Sequence, residues 1–276
     1  DDYSVYVPDN LTGVAMTAAF LGDAIIQGPG DLPQLDLEAF LYFDGDNYEG
    51  WTVANLDIRN FDMAIGMFAF ATDVAFNNVT VTNNRILIAT DLNGVATATD
   101  PLQNVGIHYS FGTNQTISDN IIEIPGNGVS SPTATEADFE VNPKKFSTSV
   151  GIMGHSGGPT TYDGQIISGN TIRVLNAQSV FPEHIIGIWE NGTAAQSDIT
   201  VVNNQFLNLS VDNDPNQNRQ QAFWVSSPSN TGAGTTVTFG SNTVSGASLG
   251  FRFVSDFSLA GGTNDSVQFL NNTLTN

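Results

Sequence analysis

The sequence predicts an all-β repeat protein in which the chain winds as a β-coil, each repeat giving three short strands. Three observations lead there. First, a phrase of Asn, any residue and an apolar residue recurs. Its copies are Asn84-Arg85-Ile86, Asn120-Ile121-Ile122, Asn170-Thr171-Ile172, Asn204-Gln205-Phe206, Asn242-Thr243-Val244 and Asn272-Thr273-Leu274, with a degenerate copy at Leu56-Asp57-Ile58. Second, the six asparagines are spaced by 36, 50, 34, 38 and 30 residues. A helical solenoid would not vary so much, whereas a β-coil takes insertions in its loops while its strands stay in register. Third, a Gly-centred phrase recurs at Ala64-Ile65-Gly66-Met67-Phe68, Val105-Gly106-Ile107-His108-Tyr109, Val150-Gly151-Ile152-Met153-Gly154 and Ile186-Gly187-Ile188-Trp189-Glu190, and more loosely at Leu249-Gly250-Phe251-Arg252-Phe253.

Taken in order, the segments 13–17 and 24–27 read as an early coil, with Phe40-Leu41-Tyr42-Phe43 as its Gly-phrase strand. From there each Asn is preceded by a β-branched run, such as Val79-Thr80-Val81-Thr82, Gln115-Thr116-Ile117-Ser118 or Ile199-Thr200-Val201-Val202, and is followed by another. Alternation, β-branched residues and Gly/Asn punctuation favour strands, and no helix of three turns is evident. The run before Asn, the run after it and the Gly phrase define three sheets. The Gly phrase is the first sheet, the run before Asn the second, the run after Asn the third. Connections from the third sheet back to the first are long, at about 90–103, 125–148, 176–184 and 208–220, and rich in Pro, Gly, Asn and Asp. They wall one side of the first-sheet face, and loops on a rigid scaffold are where function sits.

Composition bounds the function. The chain has 276 residues with 28 acids against 7 bases, a net charge of −21. Such a chain repels nucleic acid and anionic membrane, whose recognition needs clustered Lys and Arg. The acidity keeps an exported protein soluble or recruits calcium. There is no cysteine, which excludes disulfides, thiolate zinc sites and a cysteine nucleophile. No run approaches the ~18 apolar residues of a membrane span. The start at Asp1-Asp2-Tyr3 lacks the basic and apolar regions of a signal peptide, so the chain reads as mature or trimmed. A Lys-poor, Asn/Thr/Ser-rich composition suits a bacterial secreted or surface protein. Sequons at Asn10, Asn78, Asn114, Asn191, Asn208, Asn264 and Asn271 arise readily by chance in such a chain. The chain ends in mid-coil at Thr273-Leu274-Thr275-Asn276, so a further domain or a packing partner is expected there.

From about Leu11 to Asn276 the pattern resembles the right-handed parallel β-helix of the pectin-lyase-like superfamily. The resemblance implies a single domain over 1–276, a piece of a longer protein or a whole one, with about eight coils, on the order of 40 Å of stack. It also implies that Asn84, Asn120, Asn170, Asn204, Asn242 and Asn272 form a stacked asparagine ladder at the corner between second and third sheets. Asn suits this corner because it tolerates the left-handed conformation a tight turn needs, and amides about 4.8 Å apart can bond along the axis.

In that family the substrate cleft lies on the first-sheet face. Strand alternation puts the residues flanking each Gly inside, and the Gly and the residue two beyond it outside. That predicts an outward row of Phe68, His108, Met153 and Trp189, with Arg252 further along, beside a floor of glycines. Such a strip suits the apolar faces of sugar rings; the other reading is that loops fold over it as a secondary core. All three histidines, His108, His155 and His184, lie in or beside this sheet. His108 or His155 could serve as general acid or base. Gly154-His155-Ser156 resembles the Gly-His-Gly of polygalacturonases, but no Asn-Thr-Asp, no adjacent Asp-Asp pair and no Arg-Ile-Lys accompanies it. Lyases of this fold use a Lys or Arg base. Here Asp57 with Arg85 and Glu123 with Arg173 hold matching positions in neighbouring coils as surface ion pairs, and Arg59 shares the outward row of Glu123 and Arg173 on the third sheet. That leaves Lys144 and Lys145, Arg219 and Arg252, of which Lys144 or Arg219 could reach the cleft. The loop acids near this face are Glu136, Asp138, Glu140, Asp212 and Asp214, and Glu190 with a loop Asp could supply a hydrolytic carboxylate pair. Asp44-Gly45-Asp46-Asn47 lacks the remaining spacing of a calcium loop. No cofactor is required and calcium is left open, without assigned ligands. The residues leave three readings: a saccharide-engaging surface using Phe68, His108, Trp189 and Arg252; a lyase or glycoside hydrolase using His108, His155, Lys144, Arg219 or Glu190; and a structural or adhesive surface module.

Overall fold

The computed structural model describes residues 5–6, 15–18, 20–21, 24–27, 39–44, 48–61, 63–68, 76–89, 103–109, 112–125, 148–156, 162–175, 184–190, 198–209, 221–226, 236–247, 249–254 and 266–275. Among them there is no helix. The strands form three eight-stranded sheets, with two short two-stranded sheets beside them. The first sheet runs Val5–Tyr6, Ala39–Asp44, Met63–Phe68, Gln103–Tyr109, Thr148–Ser156, His184–Glu190, Gln221–Ser226 and Leu249–Val254. The second runs from Ala15–Thr17 to Ser266–Leu270, and the third from Ala24–Gln27 to Thr273–Thr275. In each, neighbours are parallel and come from successive coils. The fold is a parallel β-solenoid.

Two corners set its cross-section. The corner between second and third sheets carries a left-handed residue in successive coils: Asn55, Asn83, Asp119, Gly169, Asn203, Ser241 and Asn271, with φ between 53° and 66°. These are Asn, Asp, Gly and Ser because bulkier side chains pay for that conformation. The left-handed residue is therefore the one before each ladder asparagine, a correction to the expectation that the ladder residue itself takes it. The chain turns at Asn83 or Asp119, and the next side chain is delivered inward along the axis. The corner entering the second sheet is built likewise on Gly50, Asn78, Asn114 and Gly164.

The delivered asparagines are buried: Asn84, Asn120, Asn170 and Asn242 at 0% and Asn204 at 2% exposure. Asn84 Nδ2 donates to Asn120 Oδ1 at 3.0 Å, and Asn120, Asn170, Asn204 and Asn242 donate in turn to the next at 2.9, 3.0, 3.1 and 2.9 Å. The second Nδ2 proton of Asn84, Asn120 and Asn170 goes to the carbonyls of Val53, Val81 and Ile117. Each carboxamide oxygen also accepts a backbone N–H, as Asn120 Oδ1 does from Asn84 at 3.0 Å. These groups could not be buried otherwise, since an unpaired amide in the interior costs about 1–3 kcal/mol.

Inside, the coils stack like on like. Val53, Val81, Ile117, Ile167 and Val201 line up from the second sheet, and Ile58, Ile86, Ile122, Ile172 and Phe206 from the third, all in one buried cluster. Toward the C-terminal coils the filling turns aromatic: Phe223 stacks on Phe251 with centroids 4.9 Å apart, and Phe239 on Phe269 at 5.6 Å. In the third-sheet strand Leu56–Phe61 a left-handed Asn60 accompanies a register shift, so that Ile88 pairs with Phe61, a β-bulge.

The outer third-sheet face carries an ion network. Asp57 takes both its oxygens to Arg59, at 2.7 and 2.6 Å, rather than to Arg85. Arg85 reaches diagonally to Glu123 at 2.9 Å, and Arg173 meets the other oxygen of Glu123 at 3.3 Å. The expected Glu123–Arg173 pair is present; the expected Asp57–Arg85 pair is replaced. A guanidinium two residues along the same strand lies on the same face and can grip both carboxylate oxygens, which a residue stacked directly above does less readily.

Candidate functional site on the first sheet

The first sheet is where the predicted site residues gather, and its register differs from the expected one. Ile65, Ile107, Ile152, Ile186 and Phe223 pair in one row. The next row holds Gly66, His108, Met153, Gly187, Trp224 and Arg252. His155, Trp189 and Ser226 share a row two residues further on, and Phe68 pairs with Asp44. The expected single row thus splits: His108, Met153 and Arg252 stay together, while Phe68 and Trp189 lie elsewhere. Trp224 joins the row of Arg252, and sequence reasoning missed it. The glycines misled the alignment. Gly106 and Gly151 occupy one position, while Gly66 and Gly187 lie two residues later.

Alternation also breaks at the Gly106 position in the coils whose side chains are described. Ala64 and Ile65 are both buried in the main core, as are Ala222 and Phe223. A Cβ on Gly106 would meet Ile122 Cγ2 of the third sheet at 2.9 Å and the Gly151 carbonyl at 2.6 Å, so Gly106 faces inward. Two consecutive residues turned to the core mean that the strand bends there. Small residues at 64, 106, 151, 222 and 250 let it do so, while Phe40 and Ile185 occupy the same register position in two other strands. The expectation that Gly106 points out and Val105 points into the main core is corrected. Val105, Val150 and Met63 form a second buried cluster with Met153.

His108 pairs in register with Met153 of that cluster and is 2% exposed. Its Nδ1 lies 3.3 Å from the Met67 carbonyl of the preceding coil. A carbonyl only accepts, so this hydrogen bond needs the proton on Nδ1 and leaves Nε2 as the basic nitrogen of the neutral ring. At His108 and Met153 the row is therefore a secondary core and not an open floor.

For Phe68, His155, Trp189, Glu190 and Arg252 the strands are described and the side chains lie outside the described residues. Lys144 and Arg219 lie outside them altogether, as do Asp46 and the loop acids. The register nonetheless sets His155 against Trp189 and Ser156 against Glu190 on adjacent strands, and Trp224 against Arg252. His155, Trp189, Glu190 and Trp224, whose side chain likewise lies outside the described residues, thereby fall on neighbouring strands between Thr148–Ser156 and Leu249–Val254. Among the described residues no group of three or more His, Asp or Glu could hold a metal, and no helix is long and apolar enough to cross a membrane.

No family model matches the chain, and no curated protein matches it either. Among solved structures, the chain is similar to the Agl-KA catalytic domain, with a TM-score of 0.30 and 12% identity over 96% of this chain and 55% of that one. A superposition that loose carries no inference about activity.

Proposed function

We propose that the chain is a right-handed, pectin-lyase-like β-helix of about eight coils, exported to the surface of a bacterial cell or beyond it. In this reading it engages an extended polysaccharide along the first-sheet face. The observation that carries it is the register: His155 opposite Trp189, Ser156 opposite Glu190, and Trp224 opposite Arg252. Parallel strands about 4.8 Å apart bring the His155–Trp189 row and the Trp224–Arg252 row, two residues apart on the same face, into one strip, while Ser156 and Glu190 alternate to the other side. Indoles stack on sugar faces, and a guanidinium takes hydroxyls or uronate carboxylates. The burial of His108 moves the strip toward the C-terminal coils, around Trp189, Trp224 and Arg252. A cleaving version uses His155 as a general acid or base, or Glu190 with a loop Asp as a carboxylate pair, or Lys144 or Arg219 as a lyase base, with calcium as an optional partner.

A panel of acidic and neutral polysaccharides, with and without calcium, tests this by binding and by release of reducing or unsaturated ends. Trp189→Ala and Trp224→Ala should each weaken binding by about 1 kcal/mol, roughly fivefold, with the fold intact. Binding to no polymer, or binding that both variants leave unchanged, refutes the site. A structural or adhesive module is the second reading, and the buried cluster of Met63, Val105, Val150 and Met153 favours it, because that part of the face is already filled.

A further inference from the structure

The second sheet's outer face has a different character. Its residues alternate with the core row of Val53, Val81, Ile117, Ile167 and Val201, and so point away from the interior. One outward row is Thr52, Thr80, Thr116, Ile166, Thr200 and Thr238 in unbroken register. The other, two residues on, is Ala54, Thr82, Ser118, Ser168, Val202 and Gly240. Neither row holds a charge, in a chain whose net charge is −21. The third-sheet face, by contrast, carries Asp57, Arg59, Arg85, Glu123 and Arg173. Between Thr52 and Thr238 the first row lacks a hydroxyl only at Ile166, another β-branched residue, and its register continues to Ala15 and Gln268 at the ends; the second row carries hydroxyls at Thr82, Ser118 and Ser168 and none at Ala54, Val202 or Gly240.

These hydroxyls are held to an even spacing. The second row lies two residues before the ladder asparagines, whose step-to-step bonds stay between 2.9 and 3.1 Å across the coils. Along the axis the repeat is about 4.8 Å, and between rows about 6.6 Å, so the Thr52-to-Thr238 row runs about 24 Å. β-Branched side chains are stiff at χ1, so the oxygens are pre-set. Thr82 Oγ1 and Ser118 Oγ lie 2.9 Å apart along the row, and each hydroxyl keeps further capacity, having one proton and two lone pairs. The face presents a regular row of threonine methyls and hydroxyls, flanked over its central coils by the hydroxyls of Thr82, Ser118 and Ser168.

Such an array suits a ligand that is itself a rigid, uncharged lattice of hydrogen-bonding oxygens. We propose that the second-sheet face binds ice, the threonine and serine hydroxyls anchoring lattice waters while the methyls order the waters between them. The oxygen repeats on the faces of hexagonal ice fall in the same few-ångström range as this array. A charged side chain would instead hold its own hydration shell and break the match. A crystalline glycan is the other ordered solid, but these rows lack the aromatic platforms that sugar faces require. The inference stands apart from the first-sheet reading.

The test is ice recrystallisation inhibition and thermal hysteresis of the full chain in dilute buffer. The chain should slow the coarsening of ice grains. Thr116→Lys, in the middle of the first row, should lower potency at least tenfold, whereas Thr171→Lys on the third-sheet face should leave it unchanged. Ile166→Thr, which completes the first row from Thr52 to Thr238, should raise potency severalfold. If Thr116→Lys fails to fold, Thr80→Val with Thr116→Val keeps the shape, removes two hydroxyls and should lose at least half the activity. The proposal is overturned if the chain leaves ice growth unaffected, if Thr171→Lys abolishes activity as fully as Thr116→Lys, or if Thr116 governs binding to microcrystalline cellulose and not to ice.

Discussion

Replacing Asn120 by alanine removes a buried side chain that makes four hydrogen bonds. Its Nδ2 donates to the Val81 carbonyl at 3.0 Å and to Asn170 Oδ1 at 2.9 Å. Its Oδ1 accepts the Asn84 backbone N–H and Asn84 Nδ2, both at 3.0 Å. At about 1 kcal/mol net each, these bonds amount to about 4 kcal/mol. The Asn84 N–H, sealed from water, loses its partner and adds about 1–2 kcal/mol more. A loss of about 5 kcal/mol is a large share of the 5–15 kcal/mol that typically holds a domain folded. Asn272→Ala is the internal comparison. Asn272 accepts two bonds from Asn242 and donates one to the Phe239 carbonyl, but it is only part-buried, so water replaces much of what is lost. Its cost should be about 1–2 kcal/mol. Guanidinium unfolding followed by far-UV circular dichroism gives both values, and hydrogen exchange at the Asn84 amide reports the vacated acceptor directly. If Asn120→Ala cost under about 1 kcal/mol, or no more than Asn272→Ala, the ladder would not fasten the coils and the reasoning would fail.

Gly106→Ala places a methyl against the Gly151 carbonyl and Ile122, and overpacking of this kind costs about 1–3 kcal/mol; wild-type stability in a denaturant melt would mean that residue 106 does not face inward. Asn203 sits at φ 57°, so Asn203→Gly should be nearly neutral and Asn203→Val should cost about 1–2 kcal/mol, read from the same melts. The hydrogen bonds from Arg59 hold the Asp57 carboxyl below its usual range. A depressed folded-state pKa contributes stability that is complete above the unfolded value, about pH 4, and is lost as pH falls through the folded value. The stability gap between wild type and Asp57→Asn should therefore close on acidification from pH 5 to pH 2; a gap constant over that range would contradict the pairing.

The sequence made the ladder legible because its chemistry tolerates no substitute. A buried carboxamide that must donate twice and accept twice can only be Asn at that reach, so Asn84 through Asn272 stood out whatever the loop lengths. The residue before it was readable in principle. Asn83, Asp119, Gly169, Asn203, Ser241 and Asn271 share a tolerance for positive φ, but as a mixture they drew less notice than the invariant neighbour. The first sheet misled for the opposite reason. Glycine answers two demands there, close packing at Gly106 and Gly151 and a place in the His108 row at Gly66 and Gly187. An alignment on glycine mixed the two and shifted Phe68 and Trp189 by two residues. The hydrophobic row of Ile65, Ile107, Ile152 and Ile186 was the better guide, since burial fixes register and an open face does not. His108 read as an outward residue from alternation and is on the outer side, but whether an outer face is covered depends on distant segments, which no local pattern encodes.

The carboxamide-to-carboxamide bonds have a sense, while the second Nδ2 proton of each asparagine runs back to the preceding coil. Each Nδ2 donates to the asparagine made later in the chain: Asn84 to Asn120, Asn120 to Asn170, Asn170 to Asn204. The backbone N–H groups beside them point the same way. During synthesis a newly wound turn therefore offers donors already aimed at a turn that has yet to emerge. The following turn arrives to a mould, and in settling it completes the one before. The order of these donors matches the order in which synthesis from the N-terminus would supply the turns. Unwinding has the reverse logic, because lifting a late turn takes the acceptors away from the turn beneath it. The same carboxamides that fix the spacing of the coils thus also record the order in which they were laid down.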